Sequence, residues 1–397
     1  MESAKKMSGA IPGVRWNRRP RALRPTLVAI LATGLVAAAP TWQTLASPLA
    51  DAGLAEPSVM ARSGGATTVF DTGQNAFGSS LGNLEPHHWS DMQKGKRLFV
   101  HRFQPAGRGE GAGPDGLGPL FNADSCSACH FKDGRGRHPD DPARHPDDPA
   151  RHPDDPAPSP PLIYRFLPAS PTFGPQLQDR AVHGATPEGA VEVTTLAVEG
   201  RYGDGTPFTL HEPRYRWRGP APAPEVGWSP RQPQTLVGLG LLEAVPDREI
   251  LTFRDDDDRD GDGISGRPRW LPGEPGAEPR LGRFGWRAGQ ASLRDQTVAA
   301  LAQDMGIRTD GPAPELSAEE VRLLVLYLQL LAPPARRDVE HPAVRRGELL
   351  FADIGCSSCH RPEMRTGGRG EISGPPELAD QTIRPYTDLL LHDLGPG

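Results

Sequence analysis

Apolar residues recur at helical spacing in three stretches of the chain. In "WSDMQKGKRLFVHRF", residues 89–103, Met92, Phe99 and Phe103 fall on one helical face. In "HPAVRRGELLFADIG", residues 341–355, Val344 and Leu350 do so more loosely, and Pro342 suits a first helical position. The third stretch, "LSAEEVRLLVLYLQLLAPP" (residues 316–334), predicts a helix. Ser317 and Glu320 form its capping box and Pro333–Pro334 stop it. Residues 190 to 217 instead alternate apolar and polar around "GDG", which predicts a β-hairpin.

Near the N-terminus, "PTLVAILATGLVAAAP" follows a basic leader of Lys5, Lys6, Arg15, Arg18, Arg19, Arg21 and Arg24. The run falls short of the ~20 residues that span a bilayer comfortably. Small residues follow, so residues 1–50 read as a Sec-type export signal with cleavage after Ala46 or Ala50. The alternative is an uncleaved membrane anchor. Arg18–Arg19 lacks the rest of a twin-arginine motif. Export would place the folded part in the periplasm, with no stable membrane span unless the signal stays uncleaved.

The chain has 397 residues, room for two or three domains. Its net charge of -6 offers no basic face for nucleic acid. With 46 glycines and 45 prolines much of it must be loop, and the 36% hydrophobic share is modest. Large apolar cofactors would help to fill such a core.

The cysteines point to those cofactors. There are four, in "NADSCSACHFKDGRG" as Cys126, Cys129 and His130, and in "IGCSSCHRPE" as Cys356, Cys359 and His360. In an exported chain four cysteines could form two disulfides. A thioredoxin-like pair would need a βαβ setting, which neither motif has, and zinc would have to join pairs far apart in sequence. The histidine directly behind each pair decides for covalent c-type haem. Both sulfurs bond the vinyl-derived positions and the imidazole takes the iron. Two copies predict two covalently bound haems.

Both motifs follow Gly-x-x-Leu-Phe on a short amphipathic helix, so they form a distant internal repeat of cytochrome c-like regions. The expected fold is mainly α with long loops and a small β-hairpin insertion, built on two cytochrome c-like domains. Residues 66–137 would be the first haem region and 333–397 the second. Between them, residues 138–158 repeat a Pro-rich heptapeptide, read as a solvated loop in preference to a histidine metal tract. Residues 159–332 connect, with the hairpin, an acidic loop and an inter-haem helix. In the acidic loop, Asp258, Asp260 and Asp262 before Gly263 match the start of a calcium loop. The twelfth position is Arg269, which excludes a strict EF-hand. Calcium and a surface acidic turn stay open as alternatives.

"GPDGLGPLFNADSCSACHFKDGRG", "QTLVGLGLLEAVPDREIL", "LGRFGWRAGQASLRDQ", "DMGI" and "PYTDLLLHDLGPG" resemble the bacterial di-haem oxidoreductases of peroxidase type, from about residue 66 onward. These are similar to the di-haem cytochrome c peroxidases, with a peroxide-reacting haem first and an electron-accepting haem second. Such relatives carry a tryptophan between the haems, a glutamine ten positions on, then an acid followed by Met. Trp286 and Gln296 match at that spacing; Asp304–Met305 resembles the acid–Met pair but sits two positions closer, with Asp for Glu. The resemblance implies a proton-shuttling carboxylate, an amide that orients peroxide, and an indole on the electron path. Relatives continue past "YTDLLLHDLGPG", so the C-terminus reads as truncated and the second haem region as incomplete, with His392 or Met364 as the competing source of a distal ligand.

The function expected is an exported di-haem peroxidase. Its electrons would come from a small donor protein such as a cytochrome c or cupredoxin, and its oxidant would be hydrogen peroxide. The alternatives are a plain di-haem electron carrier and, more weakly, a redox sensor.

Overall fold

The computed structural model describes residues 57–105, 115–136, 162–220, 222, 225–259 and 261–394. The export signal, the heptapeptide tract and Asp260 lie outside the described residues. Eight helices occur among those described. They are α1 (Pro57–Ala61), α2 (Pro86–Val100), α3 (Cys126–Cys129), α4 (Leu239–Glu243), α5 (Asp247–Leu251), α6 (Leu293–Met305), α7 (Ala318–Gln329) and α8 (Pro342–Asp353). No helix among the described residues is long and apolar enough to cross a membrane.

The helix signals act as the pattern dictates. Pro86 and Pro342 open α2 and α8, where a missing N–H costs nothing. Ser317 and Glu320 cap each other's backbone amides at the start of α7. Ser292 caps α6, which ends on Gly306 in the left-handed conformation. Helix α2 buries Met92, Gly95 and Phe99 on one stripe against α7. The two backbones meet at Gly95, where an added Cβ would lie 2.1 Å from the Leu323 carbonyl oxygen. In α8 the repeat-equivalent Gly347 has nothing within 4 Å, and the helix buries none of its residues.

The strands correct the expected fold class. Among the described residues 28% are helical and 22% are in strands, so the protein is not mainly α. Strand β1 (Leu120–Phe121) pairs with β4 (Arg180–Ala181). Strands β2 (Ile163–Ser170), β3 (Gly174–Gln176) and β7 (Gly227–Arg231) make an antiparallel sheet in the order β3–β2–β7. The expected hairpin is present as β5 (Ala190–Arg201) and β6 (Pro207–Arg218). Strands β8 (Gly266–Arg267), β9 (Trp270–Leu271), β10 (Arg280–Leu281), β11 (Met364–Arg365), β12 (Thr382–Ile383) and β13 (Leu391–His392) pair two by two. The partners are β9 with β10, β11 with β12 and β8 with β13. Loops lying against a core must still satisfy their amides and carbonyls, and two-residue ladders do so. Such ladders are too short to leave a period in the sequence.

Two apolar cores result. The main one gathers α2, α6 and α7 with residues between Leu236 and Ile250 and between Met364 and Leu390. The smaller one lies under the sheet and hairpin, with Tyr164, Phe166, Phe173, Leu177, Val191 and Val226 buried and Tyr215, Trp217 and Trp228 packed on them.

Candidate functional site

The first motif is a single helical turn. Cys126 and Cys129 are its ends, and the His130 amide donates to the Cys126 carbonyl at 2.9 Å. A three-residue offset puts both sulfurs on one face. Both thiols are free; burial, and then the Asp304 carboxylate, push them up to about 12. The Nδ1 of His130 lies 3.4 Å from the Gly134 carbonyl oxygen, and burial lowers the pKa of the ring. Phe99 of α2 stands 6.4 Å from His130 and 5.3 Å from Tyr327 of α7. The Tyr327 hydroxyl donates to Asp133 at 2.5 Å, tying α7 to the loop behind the motif.

The second motif repeats this plan. Cys356–Ser358 form a 3-10 turn, and the His360 amide again donates to the first cysteine's carbonyl at 2.9 Å. The His360 Nδ1 reaches the Tyr386 carbonyl oxygen at 2.9 Å. Phe351, the repeat-equivalent of Phe99, stands 6.1 Å from His360. His360 is exposed, whereas His130 is half-buried.

These arrangements fit a c-type haem at each motif. Each imidazole turns Nδ1 to a main-chain carbonyl, which fixes the tautomer and leaves Nε2 its lone pair for iron. None of the four cysteines is in a disulfide, and no group of three His, Cys, Asp or Glu side chains among the described residues could hold a metal. Cys126, Cys129 and His130 would hold the first haem, and Cys356, Cys359 and His360 the second.

Beside the first motif lies a partly buried polar cluster. The Asp304 Oδ1 accepts from the Gln176 side-chain amide at 2.7 Å. The same amide nitrogen lies 3.0 Å from Asn122 Oδ1. Arg165 Nη1 donates to Gln176 Oε1 and to Gln303 Oε1, both at 2.7 Å. The Asp304 carbonyl accepts from the Asn122 amide at 2.7 Å, so α6 is stitched to the motif loop. Burial raises the Asp304 pKa, opposed by the Gln176 hydrogen bond and Arg165. Gln176 and Arg165 carried no signal in sequence, because β2 and β3 reach α6 only through the fold. Asn122 stands within the quoted motif stretch.

Trp286 and Gln296 lie elsewhere. Gln296 and Asp304 are eight residues apart on α6, about 12 Å along the axis. An added Cβ on Gly285 would lie 2.5 Å from Gln296 Oε1, which places that amide beside Trp286 and away from Asp304. Trp286 is half-buried, with the Arg231 guanidinium over its ring at 4.2 Å from the centroid. Two short segments run from it to the motifs. Residues 231–234 start at Arg231 and end at Gln234, whose backbone acts on the His130 ring. Residues 266–269 start at Gly266, paired with His392, and end at Arg269, which donates to the Arg287 carbonyl at 2.9 Å. His392 itself lies 3.6 Å from the Cys359 sulfur. Each segment covers on the order of 10 Å of chain at most.

A family profile described as "Di-haem oxidoreductase, putative peroxidase" matches residues 58–150, 224–317 and 308–397. The chain belongs to this family. No curated protein and no solved structure matches it. The matched spans of this di-haem oxidoreductase contain both motifs, Trp286, Gln296 and Asp304. Gln176 and Arg165 fall in the stretch between matched spans, so that stretch completes the cluster around Asp304.

The remaining candidates of the oxidoreductase sit in the acidic loop, in β13 and in the main core. The Asp258 carboxylate accepts from the Gly263 amide at 3.1 Å, and Asp262 from the Ile264 amide at 2.8 Å, so both close a turn. His392 has Nδ1 on the Ser265 carbonyl at 3.0 Å and Nε2 on Asp388 at 2.8 Å. Met92, Met305 and Met364 are buried in the main core.

Proposed function

We propose that this di-haem oxidoreductase is an exported, periplasmic peroxidase with both haems covalently attached. A small donor such as a cytochrome c or cupredoxin would supply electrons at the second motif for use at the first. The observation that carries this reading is the half-buried Asp304 against the first motif, its carboxyl anchored by Gln176. When bound, the first haem supplies an iron for reduction of the peroxide O–O bond and the second supplies stored electrons. Oδ1 of Asp304 is taken by the Gln176 amide, so Oδ2 is left to hold or release a proton. Its raised pKa keeps the carboxyl protonated to higher pH than an exposed aspartate. Arg165, bonded to both Gln176 and Gln303, fixes the amide that fixes the acid. Trp286 stands between segments leading to the two motifs, which supports an electron path through the indole.

The test uses exported protein carrying both haems, with hydrogen peroxide and a reduced cytochrome c. Wild type is expected to turn over, and Asp304→Asn to lose about 10²-fold with its haem absorption spectrum unchanged. Two low-spin haems indifferent to peroxide and cyanide, with no turnover, would make the protein an electron carrier instead.

A further inference from the structure

The guanidinium of Arg231 lies over the face of the Trp286 indole, 4.2 Å from its centroid. A cation within about 6 Å of an aromatic face is held by the ring's negative quadrupole. Oxidising that ring by one electron turns the attraction into repulsion, because a positive charge then faces a positive charge. The repulsion grows as distance and local dielectric fall.

The surroundings leave the cation in force. Arg231 is anchored in β7, paired with Ile163 of β2, so its backbone is fixed relative to the sheet. Arg287, directly after Trp286, adds a second positive charge that acts on Arg231. Among the described residues neither Arg231 nor Arg287 forms an ion pair with a carboxylate. The other half-buried tryptophans differ. Trp217 and Trp228 meet edge to face at 5.9 Å in the small core, with no cation over either ring among the described residues.

We propose that Arg231 makes Trp286 the indole hardest to oxidise among the half-buried tryptophans, so that electrons cross it as a bridge and no hole rests on it. Arg231 is thus a positioning residue that acts through Trp286. The inference rests on the reading that Trp286 lies on the path between the haems. It fits a protein that must pass reducing electrons beside a strong oxidant without consuming its own side chains.

The test is a one-electron oxidation map. The full-length, haem-loaded protein is illuminated with lumiflavin in air. This neutral photo-oxidant takes one electron from an indole; the ring then loses its N–H proton to solvent and adds oxygen. Peptide mass spectrometry reads the oxidised fraction of Trp286 against Trp228. Wild type is expected to show Trp286 less oxidised than Trp228. Arg231→Gln, which keeps a planar group over the ring without the charge, should raise the Trp286 to Trp228 ratio about fivefold. Arg231→Lys should leave it near wild type. An unchanged ratio in Arg231→Gln overturns the proposal, as does an Arg231→Lys ratio as high as that of Arg231→Gln. The path reading is tested apart, by flash-triggered electron transfer between the haems in Trp286→Phe. An unchanged rate there would defeat the path and leave the oxidation ratio standing.

Discussion

At the scale of single residues the chemistry turns on charge placed where water is scarce. Asp304 is the clearest case, since its folded pKa is raised by burial. The unfolded reference for Asp is near 3.9. A raised folded pKa means that stability from burying the neutral acid is full below the unfolded value. It is lost as pH climbs through the folded value. Asp304→Asn cannot ionise, so it should keep that stability at higher pH. Urea midpoints across a pH series are expected to converge for the two proteins below about pH 3.9, to favour the variant increasingly as pH rises to the raised pKa, and to differ by a constant margin above it. Parallel curves would mean that the carboxyl titrates as if exposed. The attachment chemistry is tested one motif at a time. Changing Cys126 and Cys129 to Ala should leave one covalent haem per chain after acid–acetone extraction, held at Cys356 and Cys359. Loss of all haem from wild type under that extraction would rule out thioether bonds. The motif cysteines and histidines were legible in sequence because the whole pattern lies within five consecutive residues. Gln176 was not, because a glutamine in a short strand looks the same whether it faces solvent or Asp304.

At the scale of elements, local signals were legible and pairings were not. The caps of α7, the prolines of α2 and α8 and the alternation of the hairpin all act within a few residues. The β8–β13 ladder and the Gly95 crossing depend on partners more than a hundred positions away, as Gly266 meets His392 and Gly95 meets Leu323. This separates two glycines that the sequence makes equivalent. Gly95→Ala would force a Cβ to 2.1 Å from the Leu323 oxygen and 2.7 Å from the Tyr327 Cβ. Helices α2 and α7 must then separate, at a cost of about 1–3 kcal/mol or more. Gly347→Ala meets open space in α8 and should gain about 0.5–1 kcal/mol from helix propensity. Thermal or urea unfolding of the two variants should therefore shift in opposite directions. A common sign would place the two helices in like surroundings.

At the scale of the molecule, the two cores divide the labour. The main core draws on chain from Leu81 to Leu390 and packs against Cys126 of the first motif. The small core supports the sheet from which Arg165 and Gln176 reach across to Asp304. Damage to the small core should therefore register at the acid before it registers at the haems. Trp217 packs against Phe166 at 6.2 Å and Phe173 at 6.3 Å, over the strand that carries Arg165. Trp217→Ala removes that cover at a cost of about 3–5 kcal/mol, less where the ring is half-exposed. Haem per chain, read from the pyridine haemochrome spectrum, is expected to stay at the wild-type level. Peroxide turnover should fall and its pH profile move, because Asp304 loses the amide that holds Oδ1. Trimming the hairpin tip is the control. Leu196, Tyr202 and Leu210 are 50%, 61% and 58% exposed, so joining residues 194 and 214 by a tight turn removes little buried surface. That variant should keep turnover, haem content and a thermal midpoint within about 2–4 °C of wild type. If Trp217→Ala lost haem in step with activity, the small core would be supporting the motif itself, and the separate role given to Gln176 and Arg165 would fall.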